Sequence, residues 1–267
     1  MGMRKGLKAG IHTVALSWQL FSRSLEARHR KSFLGYFWLV FPSIVIASGV
    51  SLASQSGVIN PGATRLPYFL FVLIGALIWQ VFVEALDVPY QAFEEARSYL
   101  TRISFTREAV ILAQFYEMLL NMFVRLGMVW VLIAWWGGAD WRCSLLMTVC
   151  FGGAGVLGLG IGALLMPFML LLSDLHHAVK LLLSYGVFLT PAFYAPGDQG
   201  VFSKVVYWTP VAPLMTSARD AAAGVTLSQA DGLLWVLATS IVLTCLGLVF
   251  VRLCAPIVIE RMLLGGR

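Results

Sequence analysis

Residues 143–173 read CSLLMTVCFGGAGVLGLGIGALLMPFMLLLS, and from Cys143 to Ser173 no side chain is charged. A bilayer core about 30 Å thick needs roughly 20 apolar residues in a helix, so this run is long enough to cross one. Similar windows lie on both sides of it. Before it come Phe33–Gln55, Leu66–Val83 and Ala109–Trp136, the last carrying Glu117 and Arg125; after it come Leu181–Gly197 and Gly232–Val251. No alternating ten-residue segments recur, which excludes a transmembrane β-barrel. The windows predict an all-α integral membrane protein with six transmembrane helices.

Composition agrees. Of 267 residues, 59% are hydrophobic and 12% charged, against about 45–50% and about 25% in soluble domains. The net charge of +6 would suit nucleic acid in a soluble protein. Here it fits basic residues retained on the cytoplasmic side. With both termini inside, the inner segments hold most lysines and arginines. Outside remain Arg65, Arg142, Lys204 and Arg219, with Arg125 in the membrane. This predicts a multi-pass protein of the cytoplasmic (inner) membrane. The four cysteines form no Cys-x-x-Cys pair, so neither a disulfide framework nor a zinc site is expected.

The expected layout is one transmembrane domain: an amphipathic helix within 1–31, the six-span body over 32–254 and a cytoplasmic tail over 255–267. In the first segment Leu7, Ile11, Val14, Trp18, Phe21 and Leu25 recur at steps of four and three, one helical face. Such a helix lies on the cytoplasmic leaflet or packs on the protein's own inner surface. Between the fifth and sixth spans, Pro196–Asp231 is too broken to span and too apolar for a solvated loop. Short re-entrant helices are expected there.

Chemistry is sparse. No Gly is followed by Lys, so the chain has no P-loop, and His-Glu-x-x-His and Gly-x-Ser-x-Gly are missing too. No catalytic, cofactor-binding or metal-ligating residue is expected. His176 and His177 read as a solvated cytoplasmic turn. Gly158 and Gly162 make a Gly-x-x-x-Gly step for close helix packing, within the chain or between copies.

Charge inside the membrane is costly and often functional. Gln80, Glu84, Asp87 and Gln91 form one helical stripe, and Glu117, Asn121 and Arg125 step by four on the next span. They read as the lining of a conduction path, or as an ion pair (Arg125 with Glu117 or with a neighbouring helix) that only fixes packing. A metal-dependent glycosyl or phospholipid transferase would need Glu84, Asp87 and Glu117 gathered at one site.

Several strings resemble the permease subunit of type-2 ABC transporters that export polysaccharide. They are Arg28-His29-Arg30-Lys31-Ser32-Phe33-Leu34-Gly35-Tyr36-Phe37-Trp38 with Pro42, Pro67-Tyr68-Phe69-Leu70-Phe71 followed by Gly75 and Trp79-Gln80-Val81-Phe82, Phe105-Thr106-Arg107-Glu108, Thr190-Pro191 with Tyr194, and Thr209-Pro210. Threonine stands at 106, 190 and 209 where the family pattern has Pro, Ser and Asn. The resemblance implies an O-antigen, capsular polysaccharide or teichoic acid exporter, with a drug or small-molecule exporter as the alternative. It implies a homodimer served by two copies of a separate ATPase that carries ATP and magnesium. The segment with Glu94, Glu95, Arg97, Arg102, Arg107 and Glu108 would dock on that partner. Arg28, Arg30 and Lys31 would meet the phosphates of a lipid-linked glycan. Tyr36, Phe37, Trp38, Phe41, Trp79, Phe82, Phe188 and Tyr194 would line the channel.

Overall fold

The structure is a computed structural model and describes residues 13–26, 35–57, 64–100, 107–136, 140–194 and 209–264. Every regular element among them is helical. Residues 13–26 form α1. Then follow α2 (Phe37–Gln55), α3 (Tyr68–Leu100), α4 (Arg107–Trp135), α5 (Trp141–Leu171), α6 (Ser173–Gly186), a 3-10 turn (Val187–Leu189), α7 (Ala212–Ala222) and α8 (Ala230–Leu264). The all-α membrane reading stands. Among the described residues five helices, α2, α3, α4, α5 and α8, are long and apolar enough to cross a bilayer.

The expected fifth span is where sequence and structure part. Leu181–Gly197 is not one helix. Instead α6 begins at Ser173, after the extended Leu172 (φ −126°, ψ 98°). Its 14 residues reach about 21 Å at 1.5 Å each, short of the core thickness. It passes at Val187 into the 3-10 turn, which stops at Leu189 because Thr190 precedes Pro191, whose ring drives the preceding residue out of the helical region; Thr190 sits at φ −103°, ψ 160°. In the expected re-entrant region, α7 is a short helix with most of its residues buried; residues 195–208 lie outside the described set. The expected tail from 255 is helical to Leu264, as the continuation of α8.

Helices α3 and α5 form the centre. Gly158 and Gly162 of α5 lie against the α3 backbone at Phe82 and Leu86, and Gly160 faces Thr244 of α8. The Gly-x-x-x-Gly step is therefore an intrachain contact. Thr244 Oγ1 donates to Val156 O at 2.8 Å across the same α5–α8 contact. The most apolar stretch of α3 is 78% buried, whereas those of α2 and α8 are 17% buried. Their bare apolar faces suit lipid.

Helix α1 packs on the protein, and of the expected stripe Phe21 alone among the described residues is buried. Thr13, Ser17 and Phe21 are buried, while Val14 and Trp18 are exposed. Small hydroxyl residues are tolerated inside because Ser17 Oγ donates to Val14 O at 2.8 Å, which satisfies the group. The rings of Trp18 and Phe21 stand 6.2 and 6.0 Å from that of Tyr116 on α4, and Ser24 Oγ reaches Glu117 at 3.4 Å.

Candidate functional site

Both polar stripes turn toward the same space. A groove of about 790 Å³ opens between α2 and α3, with walls also from α4 and α6. Gln80, Glu84 and Gln91 face it from α3; Glu117, Asn121 and Arg125 face it from α4. Tyr36, Trp38 and Trp79 supply its aromatic surface. Trp79 is fixed in place, since Nε1 donates to Leu183 O at 3.1 Å and its ring packs on Gly186.

At the groove's floor Glu84 takes both partners. Arg125 Nη1 meets Oε2, and Asn121 Nδ2 donates to Oε1. Arg125 is 5% exposed, so its charge is answered across α3 and α4 rather than along its own helix. Glu117 was the expected same-helix partner; it lies eight positions away, about 12 Å along the axis. This pairing lowers the cost of ionised groups in an apolar bundle.

Asp87 leaves the stripe. It accepts from Gln91 Nε2 at 2.6 Å and lies 4.0 Å from His176 Nδ1 on α6. His176 is buried and stacked on Tyr90 with ring centroids 3.8 Å apart, so the expected solvated turn is a packed helical contact. Glu84 and Asp87 thus have separate partners on different elements. Among the described residues no three His, Cys, Asp or Glu side chains gather as metal ligands would.

Burial pushes the His176 pKa below the ordinary 6.5, against the opposing pull of Asp87. With a folded value below the unfolded one, the unfolded chain takes the proton first. The stability held in this contact is whole above about pH 6.5 and is lost as pH falls. The thermal midpoint of the purified protein is expected to drop between about pH 7 and about pH 5.5. The His176→Gln chain is expected to lack that component of the drop.

No protein-family model matches the chain. It is 27% identical over 228 residues to the O-antigen export system permease protein RfbA of Myxococcus xanthus, covering 84% of this chain and 86% of the relative. The resemblance to export permeases is borne out.

In this permease-like chain the other expected site residues are dispersed. Phe82 is buried in the core and Phe188 is exposed. Phe37 and Phe41 cluster with Trp38 on α2, at ring distances of 5.1–6.0 Å, without lining the groove. Tyr194 also stays off its walls; its hydroxyl donates to Phe188 O at 3.5 Å. Glu94 and Glu95 are exposed near the end of α3. Arg97 is in the last turn of α3, and Arg107 and Glu108 open α4. Arg102, Arg28, Arg30 and Lys31 lie outside the described residues.

Among the polar and aromatic lining residues, three have no counterpart among the expected ones: Gln114, Ser184 and Phe193. Gln114 was legible, because 114, 117, 121 and 125 continue one helical face. Ser184 and Phe193 are placed by the early start of α6, which apolarity alone does not reveal.

Proposed function

We propose that this chain is the membrane subunit of an ATP-driven exporter that moves lipid-linked polysaccharide, O-antigen-like or capsular, across the cytoplasmic membrane. The observation that carries the reading is the groove. Within a bundle of apolar helices, Gln80, Gln91, Gln114 and Asn121 stand on its polar walls, and Trp38 and Trp79 present aromatic surface. A sugar has the same two kinds of surface. Its C–H face stacks on an aromatic ring, and its hydroxyls exchange hydrogen bonds with amides and carboxylates. Such contacts are many and individually weak, so a polymer can slide. The named relative supports the same class of cargo.

Both termini face the cytoplasm in this reading, with α6, the 3-10 turn and the turn after it together returning the chain to the outer side, so α2 ends and α3 begins at the outer surface. The helical hairpin of α3 and α4 then presents residues 94–108 to a separate ATPase. Two copies of the chain and two ATPases make the transporter, with ATP and magnesium on the partner. Closure of the ATPase pair moves the hairpin, and the hairpin moves the groove.

The test is co-expression of the tagged chain with any ATP-binding protein encoded beside it, followed by mass measurement in mild detergent. A two-plus-two complex is expected, and the Glu94→Lys, Arg97→Glu chain is expected to lose assembly or at least tenfold of the coupled ATP hydrolysis. A chain that purifies alone would overturn the reading. A second expectation concerns the groove wall. Trp79→Ala should lower polymer export on the order of tenfold, equivalent to about 1.4 kcal/mol, with ATPase assembly intact. Export of surface polymer by a strain lacking the native copy reads this out.

A further inference from the structure

Arg219 on α7 is 5% exposed, yet the groove makes no use of it. Its guanidinium meets backbone carbonyls: Nε donates to Phe71 O at 3.0 Å, Nη1 to Pro191 O at 2.6 Å and Nη2 to Ala192 O at 2.8 Å. Its Cζ lies 3.5 Å from the centroid of the Phe71 ring. Gly75 makes room for it, since a Cβ there would collide with Nη2 and approach Ala192 Cα to 3.0 Å. The next carbonyl along, Phe193 O, accepts from the Tyr68 hydroxyl at 2.6 Å. Three consecutive carbonyls of one short turn are therefore held by two side chains from α3 and α7.

That turn borders one cavity and is hydrogen-bonded to the lining of another. Phe193 lines the groove. Tyr68, one hydrogen bond away, lines a second cavity of about 640 Å³ at the other end of the same α2–α3 seam. The second cavity repeats the character of the first, with Ser51, Ser54 and Gln55 beside Trp135 and Trp136. The turn itself is neither helix nor strand. Residues 190–194 form a turn, and Pro191 has no N–H to give a ladder. Ala192 and Phe193 are packed in the main core, and beside that packing the turn is tied by this handful of side-chain bonds to neutral carbonyls, each of modest net strength.

We propose that the Thr190–Tyr194 turn is the barrier closing the groove at its outer end, with Phe193 as the barrier residue and Tyr68 and Arg219 as its positioning residues. Release of the turn joins the two cavities into one passage for the sugar chain. The inference rests on the transport reading and on its orientation for the words "outer" and "sugar chain". The barrier itself is a property of this chain and is measurable without substrate or ATPase.

The experiment places Gln80→Cys in a chain whose native cysteines are replaced by alanine. Right-side-out membrane vesicles are treated from outside with a membrane-impermeant maleimide. The parent is expected to label slowly. Tyr68→Phe, which removes one hydroxyl and little volume, should raise the rate at least tenfold, and Phe193→Ala should do the same with the Tyr68 and Arg219 bonds intact. Arg219→Lys should act in the same direction; where that chain fails to fold, Tyr68→Phe carries the test. Parent-rate labelling in folded Tyr68→Phe or Phe193→Ala protein overturns the proposal, as does fast labelling of the parent itself. If no ATPase partner is found, the transport reading falls while the barrier result still stands or falls by its own rates.

Discussion

Arg125→Leu is expected to lower the thermal midpoint of the chain steeply, and Arg125→Leu combined with Glu84→Gln to restore most of it. Arg125 and Glu84 meet at the groove floor, where the arginine side chain is 6% exposed and the glutamate 24%. Removing one member of a buried pair strands the other charge, which costs about 3–5 kcal/mol. That is a large share of a typical net stability of about 5–15 kcal/mol. Replacing both charges removes the stranded ion. Gln is chosen at 84 because Asn121 also donates to that carboxylate, and an amide oxygen keeps an acceptor for it. A Leu there would leave Asn121 unsatisfied, at about 1–3 kcal/mol. Thermal midpoints in detergent read the stability, and polymer export reads the function. A refolded double variant that exports normally would make the pair a packing device. One that folds but exports poorly would assign the pair to transport.

The pair also shows where the sequence stops informing. The stripes on α3 and α4 were legible because steps of three and four put side chains on one face whatever the neighbours do. Their convergence was not, since no helical period states which face meets which. The same-helix candidate Glu117 has the right charge, but Glu84 wins by lying directly across the α3–α4 contact. Apolar windows located α2, α3, α4, α5 and α8 because length and hydropathy suffice for spans. They misplaced α6 because the backbone break at Leu172, rather than apolarity, decides where that helix begins. On α1 the apolar stripe was real, but Thr13 and Ser17 are small enough to let the helix sit close, so burial followed shape. Arg219 was least legible of all. A charged residue in an outer segment reads as solvated, and only the folded chain shows three carbonyls and an aromatic ring surrounding it.

Glycine gives the other large effect, because two glycines on one helix are expected to respond to the same substitution with opposite signs. At Gly162 an added Cβ would collide with the Leu86 carbonyl and come within 2.9 Å of Leu86 Cα; at Gly152 nothing lies within 4 Å. The neighbour at Gly162 is the backbone of α3, which cannot rotate aside as a side chain would. Gly162→Ala must therefore push α5 and α3 apart along their most intimate contact, and overpacking costs about 1–3 kcal/mol, at the upper end where backbone must move. Gly152→Ala adds the same methyl to open space and gains helix propensity, about 0.8–1.0 kcal/mol in an exposed helix interior. The thermal midpoint should fall steeply for the first and hold or rise for the second. Oligomeric state separates the alternatives for the Gly-x-x-x-Gly step. A seam between copies would leave the Gly162→Ala monomer folded and break only the dimer. The geometry, with Gly158 and Gly162 both seated on α3 of the same chain, instead makes loss of the folded monomer the expected outcome.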